Sequence, residues 1–187
     1  PSTQSLIDQH RDRLLRFDFL SFFNSYSLIH LSDEEGLDGE SFYHLLPDYV
    51  TVFRNFNHPR LLSLHSNIVS LPIGPRHVFL DNSLNSLFLP ASERTYPWSF
   101  MGTLWPNGSR KLAVSHFLRS IPSGFYYGGT QFGSGLILND YQSVIQNSVF
   151  SLAPEGDRHL DTFRLWECLS CASLPLVVDY QDTASSL

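Results

Sequence analysis

Short apolar runs recur along this chain, each stopped by polar or turn-forming residues, and the stretches between them include some with helical periodicity. That alternation restricts the fold more than any other feature. "YSLIHL" (26–31) runs into "SDEEGLDGE", and "YVTVFRN" (49–55) and "IVSLPI" (68–73) repeat the pattern. Continuous apolar runs, rather than strict apolar/polar alternation, mark strands of a parallel sheet that helices cover. A second series comprises "WSFMG" (98–102), a helix over 109–121, "GFYYGG" (124–129), a helix over 139–147, "SVFSLA" (148–153), a helix over 162–173 and "PLVVD" (175–179). In the 109–121 helix, Val114, Phe117, Leu118 and Ile121 fall at i, i+3, i+4 and i+7, one apolar stripe. Residues 4–22 also read as helix, with Leu6, Leu14, Leu15 and Phe19 among polar neighbours. The expected fold is therefore α/β, built from mostly parallel sheets flanked by helices. Periodicity is lost over about 82–97, so the chain is divided into 1–92 and 93–187. In open sheets of this kind, ligands bind beyond the carboxyl ends of the strands.

Composition narrows the partners. With 187 residues, 42% hydrophobic and 16% charged, the chain can bury a core and is not a disordered segment. The formal charge of −6 argues against broad binding to nucleic acid or an anionic membrane, so any anion site must be local. No apolar run reaches the about 18 residues of a membrane span, and "PSTQSLIDQH" lacks the features of a signal peptide. The absence of an initiator Met is expected to reflect a trimmed or excised segment. Cys168 and Cys171 form C-x-x-C, but they fall well inside a helix, where small buried hydrophobes are the better reading than a redox pair.

Two helix starts break an electrostatic rule. A helix N-terminus carries partial positive charge, so a cation there is unfavourable without an anion in front of it. In "FSLAPEGDRHLDTFRLWECLSCASLPLVV" (150–178), Asp161 reads as the N-cap, Thr162 and Phe163 open the helix, and Arg164 stands at N3 where a capping box has Glu or Gln. "NGSRKLAVSHFLRS" repeats the anomaly with Arg110 and Lys111 behind a Ser109 cap, after a strand ending in Gly102. A phosphate or diphosphate held between the two starts would make both tolerable. Glu167, one turn deeper, would then accept from ribose hydroxyls. In the loop "PEGDRHLDT", Gly156 allows close backbone approach, and Glu155, Asp157 and Arg158 offer polar contacts to a sugar or base. The ordinary alternatives are an exposed Arg164–Glu167 pair and plain turn chemistry.

The 150–178 stretch resembles the nucleotide-sugar-binding signature of exostosin-type glycosyltransferases, a strand, a polar loop and an F-R-x-x-E-x-L helix leading to P-V. "LIHLSDEEG", "VFRNFNHP", "SLPIG" and "FMG" before a basic helix start are similar to a subgroup that includes ribitol xylosyltransferases and viral exostosin-like enzymes. The resemblance implies a GT-B fold of two Rossmann-like domains, with 1–92 on the acceptor side and 93–187 binding the nucleotide sugar. It implies an inverting, metal-independent transfer of a sugar, xylose by preference, from a UDP-sugar to a glycan hydroxyl. The donor-side candidates are Gly102, Arg110, Lys111, Glu155, Gly156, Asp157, Thr162, Arg164 and Glu167. Where the family carries a basic residue after "AP", this chain has Glu155. At this length the expectation is a fragment or a reduced form of two full domains.

An inverting transfer needs a base for the acceptor hydroxyl. "HLSDEEG" supplies Asp33 first, Glu34 second and His30 third. No H-E-x-x-H, spaced Cys/His set or Asp-x-Asp occurs, so no metal and no cofactor beyond the donor substrate is expected. The Gly-rich "GGTQFGSG" matches no phosphate-loop pattern. Two rivals remain, a GDP-fucose-dependent enzyme and a non-catalytic nucleotide- or glycan-binding module. The compartment follows the source, the Golgi lumen for an animal or plant enzyme separated from its anchor and the cytoplasm for a viral or bacterial one. Asn107-Gly108-Ser109 is a glycosylation sequon that matters only in a lumen.

Overall fold

A computed structural model describes residues 26–31, 33–56, 58–83, 88–104, 109–129, 131, 135–156 and 159–177. The helix read over 4–22 lies outside these, as do Asp157 and Arg158. The chain is mixed α/β, with two parallel sheets flanked by helices in a Rossmann-like arrangement. It forms two compact units that divide between Pro72 and Ile73.

In the first unit, β1 (Ser27–His30), β2 (Thr51–Arg54) and β3 (Ile68–Ser70) pair in parallel in that order. The register sets Leu28 beside Val52 and Val52 beside Ile68, one row facing one side of the sheet. That row packs on Phe42, Tyr43, Val50 and Leu61, contributed in part by α1 (Leu37–Phe42), the 3₁₀ turn after it and α2 (Pro59–Leu62). Pro59 at the first turn of α2 suits its missing N–H and fixed φ. Ile29 and Val69, in the neighbouring row, are exposed. The apolar runs thus predict strands correctly here, but this sheet is not buried on both faces.

The second unit contains α3 (His77–Ser83), β4 (Tyr96–Thr103), α4 (Ser109–Ser120), β5 (Phe125–Gly129), α5 (Leu138–Gln146), β6 (Ser148–Leu152), α6 (Phe163–Ser170) and β7 (Leu174–Leu176). The sheet order is β5-β4-β6-β7, all parallel. β4 is covered on both faces. Trp98 and Phe100 pack with Val114, Phe117 and Leu152 on one side, while Met101 packs with Phe79, Phe125, Ile145 and Cys171 on the other. Of the apolar stripe of α4, Val114 is buried and Phe117 half-buried, while Leu118 and Ile121 are exposed. Three buried serines, Ser99, Ser151 and Ser173, link the strands through Oγ–Oγ hydrogen bonds of 3.0 and 2.8 Å, so no hydroxyl among them is stranded. Phe79 explains why the units divide before α3 rather than at 92/93: a fully buried side chain ties that helix to the second core.

Candidate functional site

The chain leaves β4 for β5 on one side, then returns across β4 to place β6 on the other. This reversal is a switch point, and it directs the ends of β4 and β6 and the segments that follow them into one crevice. Arg110, in the first turn of α4, reaches back over both strand ends. Its Nη1 donates to the Thr103 carbonyl at 3.1 Å and its Nε to the Glu155 carbonyl at 3.0 Å. Arg164, in the first turn of α6, donates from Nη2 to the Met101 carbonyl at 2.9 Å and lies 5.0 Å from the centre of the Phe100 ring. Gly102, between those carbonyls, makes room for it. A Cβ there would stand 2.2 Å from Arg164 Nη2, and its φ of 151° is one that side-chain-bearing residues rarely adopt. The two arginines of the sequence reading therefore converge on the last residues of one strand.

Main-chain carbonyls thus meet part of the charge that the sequence reading assigned wholly to a ligand. What they leave over is specific: Arg164 Nε and Thr162 Oγ1 are buried without a hydrogen-bond partner among the described residues. The helix also begins one residue later than expected. Thr162 is the N-cap, without a side-chain cap bond, so Arg164 stands at N2. Asp161 does not cap because its carboxylate is used elsewhere, accepting from the Ile73 N–H at 2.9 Å and the Trp166 indole at 2.5 Å. Gly156 donates its N–H to the His159 carbonyl at 2.7 Å and so closes its own loop. Glu155 is half-buried, while Lys111 is exposed.

Glu167 is buried, and both its oxygens are engaged. Oε1 accepts from Arg76 Nε, and Oε2 accepts from the Tyr141 hydroxyl at 2.9 Å. Burial pushes the Tyr141 hydroxyl far above its ordinary pKa, with the Arg164 charge opposing and the Glu167 charge adding to the shift. Glu167 is therefore a holder of Arg76 rather than the open ribose acceptor expected from the sequence. Arg76 and Tyr141 escaped the sequence reading. The only local signal for Arg76 was a cation directly after "PIGP", at the end of a strand-like run.

The thiols answer the C-x-x-C question. Cys168 and Cys171 are both buried, and burial pushes each thiol up to about 12. A poised redox pair needs the opposite shift.

In the first unit, Asp33 is a structural keystone. Its carboxylate accepts the Gly39 N–H at 3.0 Å and the Asp38 N–H at 3.2 Å, fastening the first turn of α1. Arg54, fully buried, donates from Nη2 to the same carboxylate at 3.1 Å and to the Asp33 carbonyl at 2.9 Å, and from Nη1 to Tyr43 at 3.0 Å. Burial raises the Asp33 pKa, but the two N–H bonds and the Arg54 charge outweigh it and hold the carboxyl below its usual range. A carboxylate so stabilised is a poor proton acceptor, which counts against it as the base. Glu34 is half-buried, with its carbonyl accepting from His58 Nε2 at 2.7 Å. His30, at the end of β1, shares a 2.8 Å hydrogen bond with the Tyr43 hydroxyl and belongs to the Asp33–Arg54 network.

No family model matches this chain, and no curated protein matches its sequence. Among the described residues there is no group of three His, Cys, Asp or Glu placed to hold a metal ion, and no helix is long and apolar enough to cross a membrane.

Proposed function

We propose that the second unit binds a nucleoside diphosphate sugar beyond β4 and β6, and that the protein is an inverting, exostosin-like glycosyltransferase acting on a glycan hydroxyl. The observation that carries this reading is the convergence of Arg110 and Arg164 on the Met101 and Thr103 carbonyls at a strand-order reversal. Cations from two helix starts, an orphaned Arg164 Nε and an orphaned Thr162 hydroxyl together suit a phosphate-bearing ligand. UDP is the favoured nucleotide and xylose the favoured sugar, on the resemblance of the 150–178 stretch. Proton removal is assigned to Glu34, since Asp33 is committed to Arg54 and α1.

Binding of UDP, GDP and uridine to the wild type and to Arg164→Ala tests the reading. UDP at a hundred times its Kd adds about 2.7 kcal/mol of stability, and Arg164→Ala weakens UDP far more than uridine. Preference for GDP would favour the fucosyltransferase alternative; equal losses for UDP and uridine would overturn the diphosphate role. A second reading, binding without turnover, is favoured by the structural commitment of Asp33. Retained UDP binding with no donor hydrolysis or transfer in either the wild type or Glu34→Gln selects it.

A further inference from the structure

Arg76 is a cation of the second unit whose orientation is fixed while its terminal nitrogens stay open. Its Nε is spent on Glu167, and its guanidinium lies 5.5 Å from the Phe79 ring centre and 5.4 Å from that of Tyr141. Those contacts orient the fork without using its ends. Nη1 and Nη2 make no hydrogen bond among the described residues, and the side chain is 46% exposed while its partner Glu167 is 2% exposed.

A buried carboxylate without its cation is strongly unfavourable, so the pair fixes Arg76 in place. A guanidinium with both terminal nitrogens open and its rotamers restricted by two rings is matched to bidentate recognition of a phosphate. Position agrees with the chemistry. The Ile73 N–H binds Asp161 just before α6 and Arg76 binds Glu167 one turn beyond Arg164, so the Ile73–Arg76 segment runs along the part of α6 that carries Arg164. Residues three apart on a helix share a face, which sets Arg164 beside the Arg76–Glu167 pair. Arg164, by contrast, has Nη2 committed to a main-chain carbonyl.

Resting on the nucleotide-diphosphate reading, we propose that Arg76 is a further donor-binding residue, contacting a phosphate of the nucleotide diphosphate through Nη1 and Nη2, with Glu167 and Tyr141 as its positioning residues. The test measures UDP, GDP, uridine and inorganic pyrophosphate binding calorimetrically on the full chain. Arg76→Gln strands Glu167, so the double variant R76Q/E167Q is measured beside it, and Arg76→Lys asks whether charge without the fork suffices. The expected result is at least a tenfold loss of UDP and pyrophosphate affinity in R76Q/E167Q, little change for uridine, and only partial recovery in Arg76→Lys. Unchanged UDP binding in R76Q/E167Q, with the loss in Arg164→Ala intact, overturns the role of Arg76 and leaves the site reading standing. A wild type that binds pyrophosphate but neither UDP nor GDP overturns the nucleotide reading, and dependence of that binding on Arg76 keeps the anion site. No binding of any of these probes overturns both.

Discussion

Gly102 shows how much one residue decides. It carries a φ reserved in practice for glycine, and its missing side chain is the space that Arg164 Nη2 occupies. Gly102→Ala is expected to cost about 1–3 kcal/mol from backbone strain and also to displace the guanidinium. UDP affinity should therefore fall as far as in Arg164→Ala, while a glycine variant elsewhere on the surface would leave it alone. Full UDP affinity in a folded Gly102→Ala would contradict the assigned position of Arg164. Asp33 makes a different prediction. Asp33→Asn keeps the shape but leaves Arg54 as an uncompensated buried charge, which costs about 3–5 kcal/mol, measurable as a shift of the urea midpoint. Because the folded-state pKa of Asp33 lies below the ordinary 3.8, its stabilisation is present in full above that value. It is lost as pH falls from 3.8 through the folded value. Equilibrium unfolding below pH 4 should show this loss in the wild type and not in Asp33→Asn.

Elements were read from the sequence to different depths, for physical reasons. Every predicted strand is present, because a short apolar run stopped by turn-forming residues is a local mark, even in the first sheet, where one row of those residues is exposed. Helix α6 was expected over 162–173 and runs Phe163–Ser170; it begins late because Asp161 gives its carboxylate to Ile73, far away in the chain, and to Trp166 rather than to the cap. Arg164 and Arg110 were legible because a helix start exposes its own electrostatic anomaly. Arg76 was not, since its meaning depends on Glu167, across 91 positions of chain. The two cysteines were legible as core, although Cys171 is the C-cap of α6 and not inside the helix as expected, because burial, not spacing, decides thiol chemistry. With both thiols pushed up to about 12, native protein at pH 8 should react with a disulfide reagent at a small fraction of the rate of urea-unfolded protein. Rapid native labelling at Cys168 would mean that the packing around α6 opens readily.

At the level of the whole molecule, the two units are expected to answer to different stimuli. The first holds its charge pair, Asp33–Arg54, deep inside, and acid acts on it through that carboxylate. The second holds arginines at the carboxyl ends of its strands, where the proposed anionic ligand would act. Stability is local, so each stimulus should register in the sheet that carries the responding group. Hydrogen exchange followed by mass spectrometry separates the two. UDP should slow exchange in 96–104 and 148–156, where the strands end, and leave 27–30, 51–54 and 68–70 at their unliganded rates. A pulse at pH 3, corrected for intrinsic exchange, should expose 27–54 first, because Asp33 fastens α1 and Arg54 at once. Uniform slowing of both sheets by UDP would show that ligand binding is not confined to the second unit. Acid exposure that begins in β4 and β6 would remove Asp33 as the group that sets the acid limit.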